Sequence, residues 1–248
     1  MDLTGKTAIV TGGGRDIGRA CAIRLAKAGA NVAINYYKSG DGAQSAVREI
    51  EEMGGRAFAM QGDMTDPEQV KAFVAAAAEA YGVIHVVMPI TGGLIARKTI
   101  PELTVEHWQA VMDINVTSAV LLVQAALPHM TEGGSIVNMA SQAGRDGGGG
   151  GALAYGAAKG AIMTMTRGMA KELAPDIRVN ALCPGMIDTD FHNIFTKPEV
   201  RKMVAGNTPL KREGTSEEVA DLAVFLASPA AAFITGANVD INGGMLFS

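Results

Sequence analysis

The chain has 248 residues, of which 48% are hydrophobic, and 21 basic against 25 acidic residues give a net charge of −4. That length suits one sizeable core, and the mild acidity leaves no electrostatic footprint for nucleic acid. No basic segment followed by an apolar stretch opens the chain, and no apolar run reads as long enough to span a bilayer. A cytoplasmic protein with no membrane partner is expected.

Lys6–Thr11 reads as a short buried strand, followed by the turn Gly12-Gly13-Gly14-Arg15-Asp16-Ile17-Gly18 and a helix near 16–28 closed by Gly29. Strand, Gly-rich turn and helix make a phosphate-binding start. The glycines let the backbone approach a pyrophosphate, and the helix N-terminus offers free N–H groups. An ordinary tight turn is the plain alternative. Further strands are predicted near 31–36, 56–61, 83–88, 134–140, 177–183 and 237–241. Helices are predicted near 41–53, 66–80, 104–130, 152–173 and 215–227. The alternation predicts a single α/β domain over 1–248. Its core is a doubly wound (Rossmann) parallel sheet of about seven strands with helices on both faces.

The strand Gly134–Ala140 ends at Ser141, where ligands bind in an open parallel sheet. A lone Ser there is more commonly a cap. Fourteen positions on, Tyr155-Gly156-Ala157-Ala158-Lys159 places a phenol and an ammonium one helical turn apart. A phenol titrates near pH 10 on its own, and a nearby cation favours the phenolate. The pair thus reads as a general acid/base, although such spacing also arises by chance on helix surfaces. Cys21 and Cys183 read as reduced core residues. Metal-ligand spacing is absent, and His85, His107, His129 and His192 are scattered, so no metal site is expected.

Together these features resemble the short-chain dehydrogenase/reductase family over essentially the whole chain. Thr11-Gly12 through Gly18, including Gly14, Arg15, Asp16 and Ile17, resembles its cofactor turn. Asp63, with Met64 beside it, matches the acid that contacts adenine, and Gly92 closes the fourth-strand motif. Asn115, Ser141, Tyr155 and Lys159 match the catalytic tetrad. Pro184, Gly185, Met186, Ile187 and Thr189 lie in the segment beside the nicotinamide. The resemblance implies hydride transfer between a nicotinamide and a carbonyl or alcohol carbon. Ser141 would polarise the carbonyl, Tyr155 would donate the proton, and Lys159 would lower the Tyr155 pKa and bind the ribose. Asn115 would hold a water that resupplies the proton; its plain alternative is a polar kink in an apolar helix.

An acid at the end of the second strand would favour NAD(H). That position falls on Tyr36, and Arg15 and Lys38 can supply positive charge for a 2′-phosphate, so NADP(H) is preferred and NAD(H) is second. Three departures from the family pattern stand out. Asp16 replaces a usual Gly. Pro89-Ile90-Thr91-Gly92 replaces Asn-Asn-Ala-Gly, which removes a bracing Asn pair. A glycine run, Gly147–Gly151, follows Gly144-Arg145-Asp146.

The last departure bears on substrate. The helix 104–130 contains no Lys or Arg, so it offers no basic patch for an acidic acyl carrier. The loop with Arg145 and Asp146 looks like that of reductases acting on keto-sugar acids or uronate-derived carbonyls, with Arg145 binding the carboxylate. Gln142, Met186 and His192 join them as candidate substrate contacts. A lid is expected over 190–212, with Lys197, Arg201 and Lys202 adding attraction for an anion. Alternatives are a 3-oxoacyl-thioester reductase, an aldose (glucose-type) dehydrogenase and, in another class, a catalytically silent NADP(H)-binding sensor. The apolar C-terminal region 237–247 suits burial in a homotetramer.

Overall fold

Seven parallel strands form one sheet in the order β3-β2-β1-β4-β5-β6-β7 in the computed structural model, which describes residues 1–247. They are β1 (Thr7–Thr11), β2 (Asn31–Tyr36), β3 (Ala57–Gln61), β4 (Ile84–Pro89), β5 (Met130–Met139), β6 (Ile177–Pro184) and β7 (Asn238–Ile241). The strands are short and apolar because both sheet faces are covered. Alternation along β1 sends Ala8 and Val10 to one face and Ile9 to the other.

The first face packs against α1 (Asp16–Lys27), α2 (Gly40–Glu52) and α10 (Ser216–Ala227). The second carries α3 (Pro67–Tyr81), α4 (Val105–Met112), α5 (Ser118–Ala126) and α7 (Leu153–Glu172). Local chemistry sets the helix ends. Asp66 caps α3 by accepting from Glu68 N at 2.9 Å, with Pro67 in the first turn. Thr215 and Glu218 form a reciprocal capping box on α10. Three short helices were not predicted: α6 (Ala143–Asp146), α8 (Asp190–Phe195) and α9 (Pro198–Asn207). They are too short, or too irregular in pattern, to give a periodic signal.

The predicted long helix 104–130 is broken into parts. Between α4 and α5 lies a π-helical stretch, Asp113–Thr117, in which Ser118 N bonds Asp113 O. The whole helical run Val105–His129, 25 residues, is long and apolar enough to cross a membrane by length and composition. The sequence reading had found no such run. Here its apolarity is used in the core, where Val111, Leu122, Val123 and Ala126 are buried against the sheet and its neighbouring helices.

The chain reverses direction across the sheet between β1 and β4, whose following helices lie on opposite faces. This switch point opens a crevice at the carboxyl ends of the strands. The far side of the sheet is tied by Arg178 on β6. Its guanidinium donates to Leu226 O at 2.8 Å and Ser228 O at 3.2 Å, satisfying the carbonyl end of α10. Arg178→Met should lower unfolding free energy by about 1.5–3 kcal/mol, read from urea denaturation at fixed protein concentration. An unchanged midpoint would mean that water serves the helix end equally well.

Candidate active site

The crevice is a cavity of about 900 Å³ that runs from the Gly-rich turn to the helices α8 and α9. Its floor is the turn after β1. Gly12 adopts φ +65°, and a Cβ on Gly18 would lie 2.2 Å from Gly12 O. The backbone is therefore pressed against the start of α1, leaving room above it. Gly12, Arg15, Asp16, Ile17 and Gly18 all line the cavity. Gly14 does not, because it packs under the next loop: a Cβ there would meet Ser39 O at 2.4 Å.

Asp16 takes φ +48°, a left-handed conformation that suits Gly and that Asp tolerates better than most residues. Its carboxylate accepts from Asp190 N at 3.2 Å rather than capping its own helix. Burial and the neighbouring Asp190 push its pKa up, against the pull of that hydrogen bond.

The end of the cavity at β2 and β3 is lined by Lys38, Asp63 and Met64, together with Tyr37 and Ser39. Tyr36 itself is turned away, with its ring against Gly40, because side chains alternate across the strand end. The position that sequence reading assigned to Tyr36 thus falls to Tyr37, Lys38 and Ser39, none of them acidic. On the opposite wall, Pro184, Gly185, Met186, Ile187 and Thr189 follow β6 into the cavity.

At the centre, Tyr155, Lys159 and Ser141 line one region, with Asn115 immediately behind it. Burial pushes the Tyr155 phenol up to about 12, opposed by the Ser141 hydroxyl. Burial also brings Lys159 down to about 8. Burial, and not the charge of Lys159, sets the direction of the Tyr155 shift. The ammonium donates to Met139 O at 2.8 Å and sits 5.5 Å from the phenol's ring centroid.

Asn115 projects from the π-helical stretch. Its Nδ2 donates to Gly93 O and Val111 O, each at 2.8 Å, and its Oδ1 accepts from Gly93 N at 3.1 Å. Gly92 passes so close that a Cβ would lie 2.6 Å from Asn115 Oδ1. The bracing lost with the usual Asn pair is supplied here and by Thr11, whose Oγ1 accepts from Thr91 N at 3.2 Å.

Of the candidate substrate contacts, Gln142, Asp146, Met186 and His192 line the cavity. Arg145 does not. It points behind α6, where Nε pairs with Asp240 Oδ1 at 2.8 Å and a terminal nitrogen donates to Asn238 O at 2.8 Å. The nearest carboxylate claimed it, and sequence spacing could not reveal Asp240, 95 positions away. Arg201 is likewise committed, bridging Glu213 and Asp188, and Lys197 and Lys202 are exposed outside the cavity. His192 shares a hydrogen bond of 2.9 Å with Thr196, and burial, aided by Arg201, drives its pKa down to about 4. Phe191 of α8 covers Tyr155 at 5.5 Å between ring centroids, and Arg97 lines the cavity mouth. Sequence reading placed Phe191 only within the lid and missed Arg97, which lies in no motif.

The cradle at Gly12 and Gly18, the open start of α1 and the facing Thr189 fit a pyrophosphate, and the long cavity fits a dinucleotide. Comparison with known proteins agrees. The family model described as enoyl-(acyl carrier protein) reductase matches residues 12–246. An uncharacterised oxidoreductase of Escherichia coli is 39% identical over 96% of this chain and 98% of its own. Glucose 1-dehydrogenase 2 of Bacillus subtilis is 37% identical over 98% of this chain and 96% of its own. A short-chain dehydrogenase of Burkholderia cenocepacia, solved in complex with NADP, superposes with TM-score 0.92 at 35% identity, covering 99% of both chains. With a sheet, a phosphate turn and a Ser–Tyr–Lys centre arranged in this way, the chain belongs to the short-chain dehydrogenase/reductase family.

Proposed function

We propose that the protein is an NADP(H)-dependent oxidoreductase acting on a carbonyl or alcohol substrate. The observation that carries this reading is the convergence of Ser141, Tyr155 and Lys159 beside a cavity that also contains the phosphate cradle. A bound nicotinamide dinucleotide supplies or accepts the hydride. Ser141 holds the substrate oxygen, and Tyr155 delivers the proton to it. At neutral pH the buried phenol is protonated and so carries a proton to donate. Lys159 binds the ribose hydroxyls. Asn115 keeps the loop at Gly92–Gly93 beside that ammonium; both its N–H donors are spent there, and its oxygen, which accepts from Gly93 N, keeps a second lone pair for a relay water. The segment 190–212 acts as a mobile lid whose Phe191 shields Tyr155 from solvent.

NADP(H) over NAD(H) is supported by Arg15 and Lys38 on the cavity wall, by the lack of an acid at the end of β2, and by the NADP held by the Burkholderia relative. Arg15 pairs with Asp190 at 3.5 Å, but both side chains are about half exposed, so the pair is cheaply released.

For the substrate, the keto-sugar-acid reading loses its main support with Arg145 bound to Asp240. An aldose, as in the Bacillus relative, finds few free partners either. Asp146 is bonded to Gln142 and Gly148 N, and His192 to Thr196. The wall around them is apolar, with Leu94, Met186, Phe191, Val200 and Val204. A polyol would lose its water there with little return. The favoured substrate is a carbonyl compound with a largely apolar body.

A silent cofactor-binding sensor is the reading of another class, and one variant separates them. Tyr155→Phe should bind NADPH normally and lose turnover of any active carbonyl by about 10²–10⁴-fold, followed by NADPH oxidation. Near-normal turnover would remove Tyr155 from its role. For the cofactor, Arg15→Ala and Lys38→Ala should each weaken NADPH severalfold while barely changing NADH, measured by fluorescence titration; equal losses would mean that neither reads the phosphate. A homotetramer is the assembly proposed. Phe233 and Phe247 near the C-terminal strand, Val105 on α4 and Leu153 on α7 are exposed apolar side chains that such an assembly would cover. Light scattering at micromolar concentration should give four times the chain mass, and a monomer would refute it.

A further inference from the structure

The glycine run 147–151 has a partner that the reaction chemistry leaves unexplained. Gly147, Gly148 and Gly151 take φ of +82°, +72° and +73°, so the loop follows a path that side chains would strain. That path lays it against the segment after β4. Lys98 N donates to Gly151 O at 2.9 Å, and a Cβ on Gly151 would lie 2.9 Å from the Arg97 Cβ. The glycines thus make room for Arg97. Its guanidinium donates from Nη1 to Gly150 O and from Nε to Phe195 O of the lid, both at 2.8 Å. Two of five N–H donors are used, which leaves three on the terminal nitrogens.

Arg97 differs from the other arginines near this end of the cavity. Arg145 is neutralised by Asp240 and Arg201 by Glu213 and Asp188. Arg97 lines the cavity yet has no carboxylate within ion-pair distance among the described residues. Asp146, also on the cavity lining, forms no ion pair with Arg97 and accepts instead from Gln142 Nε2 and Gly148 N. His192 adds no charge there at neutral pH. The result is an exposed guanidinium at the cavity mouth, held by two carbonyl oxygens and paired with no carboxylate.

We propose that Arg97 recognises a carboxylate on the substrate, so that the substrate class is an apolar-bodied carbonyl compound bearing one carboxylate. A monoanion is favoured because one guanidinium presents one fork, which matches one carboxylate. This deepens the oxidoreductase reading and rests on it. It also moves anion recognition from Arg145, where the sequence pattern had placed it, to a residue outside any motif.

The test compares hexanoate with hexanamide, two probes of equal body that differ in charge, by calorimetric titration into the full-length protein with and without NADP⁺. The wild type should bind hexanoate about five- to tenfold more tightly. Arg97→Gln, whose single amide nitrogen can replace at most one of the two bonds, should abolish that preference while leaving NADPH affinity unchanged. Arg97→Lys keeps the charge without the fork and should retain part of it, which preserves the test if the Gln variant is unstable. Equal binding of acid and amide by the wild type, or a preference that survives in both variants, overturns the proposal. Failure of the oxidoreductase reading would look different: no NADPH binding and no oxidation with 2-oxohexanoate or its methyl ester. The acid–amide comparison needs no turnover and is read either way.

Discussion

The hydrogen bonds that Asn115 exchanges with both the N–H and the C=O of Gly93 hold the centre of this molecule together. An α-helix keeps its register and would not deliver a side chain to that spot so directly. The π-helical stretch shifts the register by one residue and aims Asn115 at the loop after β4. The loop is then drawn so close that only Gly fits at position 92, within reach of Lys159. A buried amide must be satisfied, so the same bonds that remove a cost also fix the wall of the site. Substitution of the family's usual Asn pair by Pro89 and Ile90 is tolerated because Asn115 and Thr11 carry the bracing.

Burial then governs the chemistry. Tyr155 and Lys159 both shift toward their neutral forms, the phenol up and the ammonium down, because the surrounding protein replaces water around each. The sequence pattern suggested the opposite movement for Tyr155, since spacing alone shows the cation and not the desolvation. Phe191 of the lid adds to that dry environment. Near the far end of the cavity Arg145 and Arg201 are each paired with a carboxylate, and Arg97 is not.

Much of this was legible along the chain. All seven strands and six of the helical regions follow from apolar runs broken by turns, and the β–α alternation leaves a doubly wound sheet as the natural arrangement. The cradle at Gly12 and Gly18, and Ser141, Tyr155 and Lys159, are legible because local spacing places them: a tight turn after a strand, a strand end, a helical turn of four. What failed to be legible has a common physical reason. Arg145 faces Asp240, Asn115 clasps Gly93, Asp16 meets Asp190, and Arg97 joins Gly150 to Phe195. Each joins segments that are remote in sequence, and direction rather than identity decides each outcome. A guanidinium is equally basic in the sequence whether it points into a cavity or behind a helix.

By itself, then, the sequence determined the architecture, the cofactor turn and the identity of the reactive groups, because backbone periodicity and short-range spacing are local properties. Only the tertiary structure decided which charges are spent and which remain available. It also decided where the dry wall lies and how far each pKa moves, because desolvation and ion pairing depend on whatever the fold packs alongside.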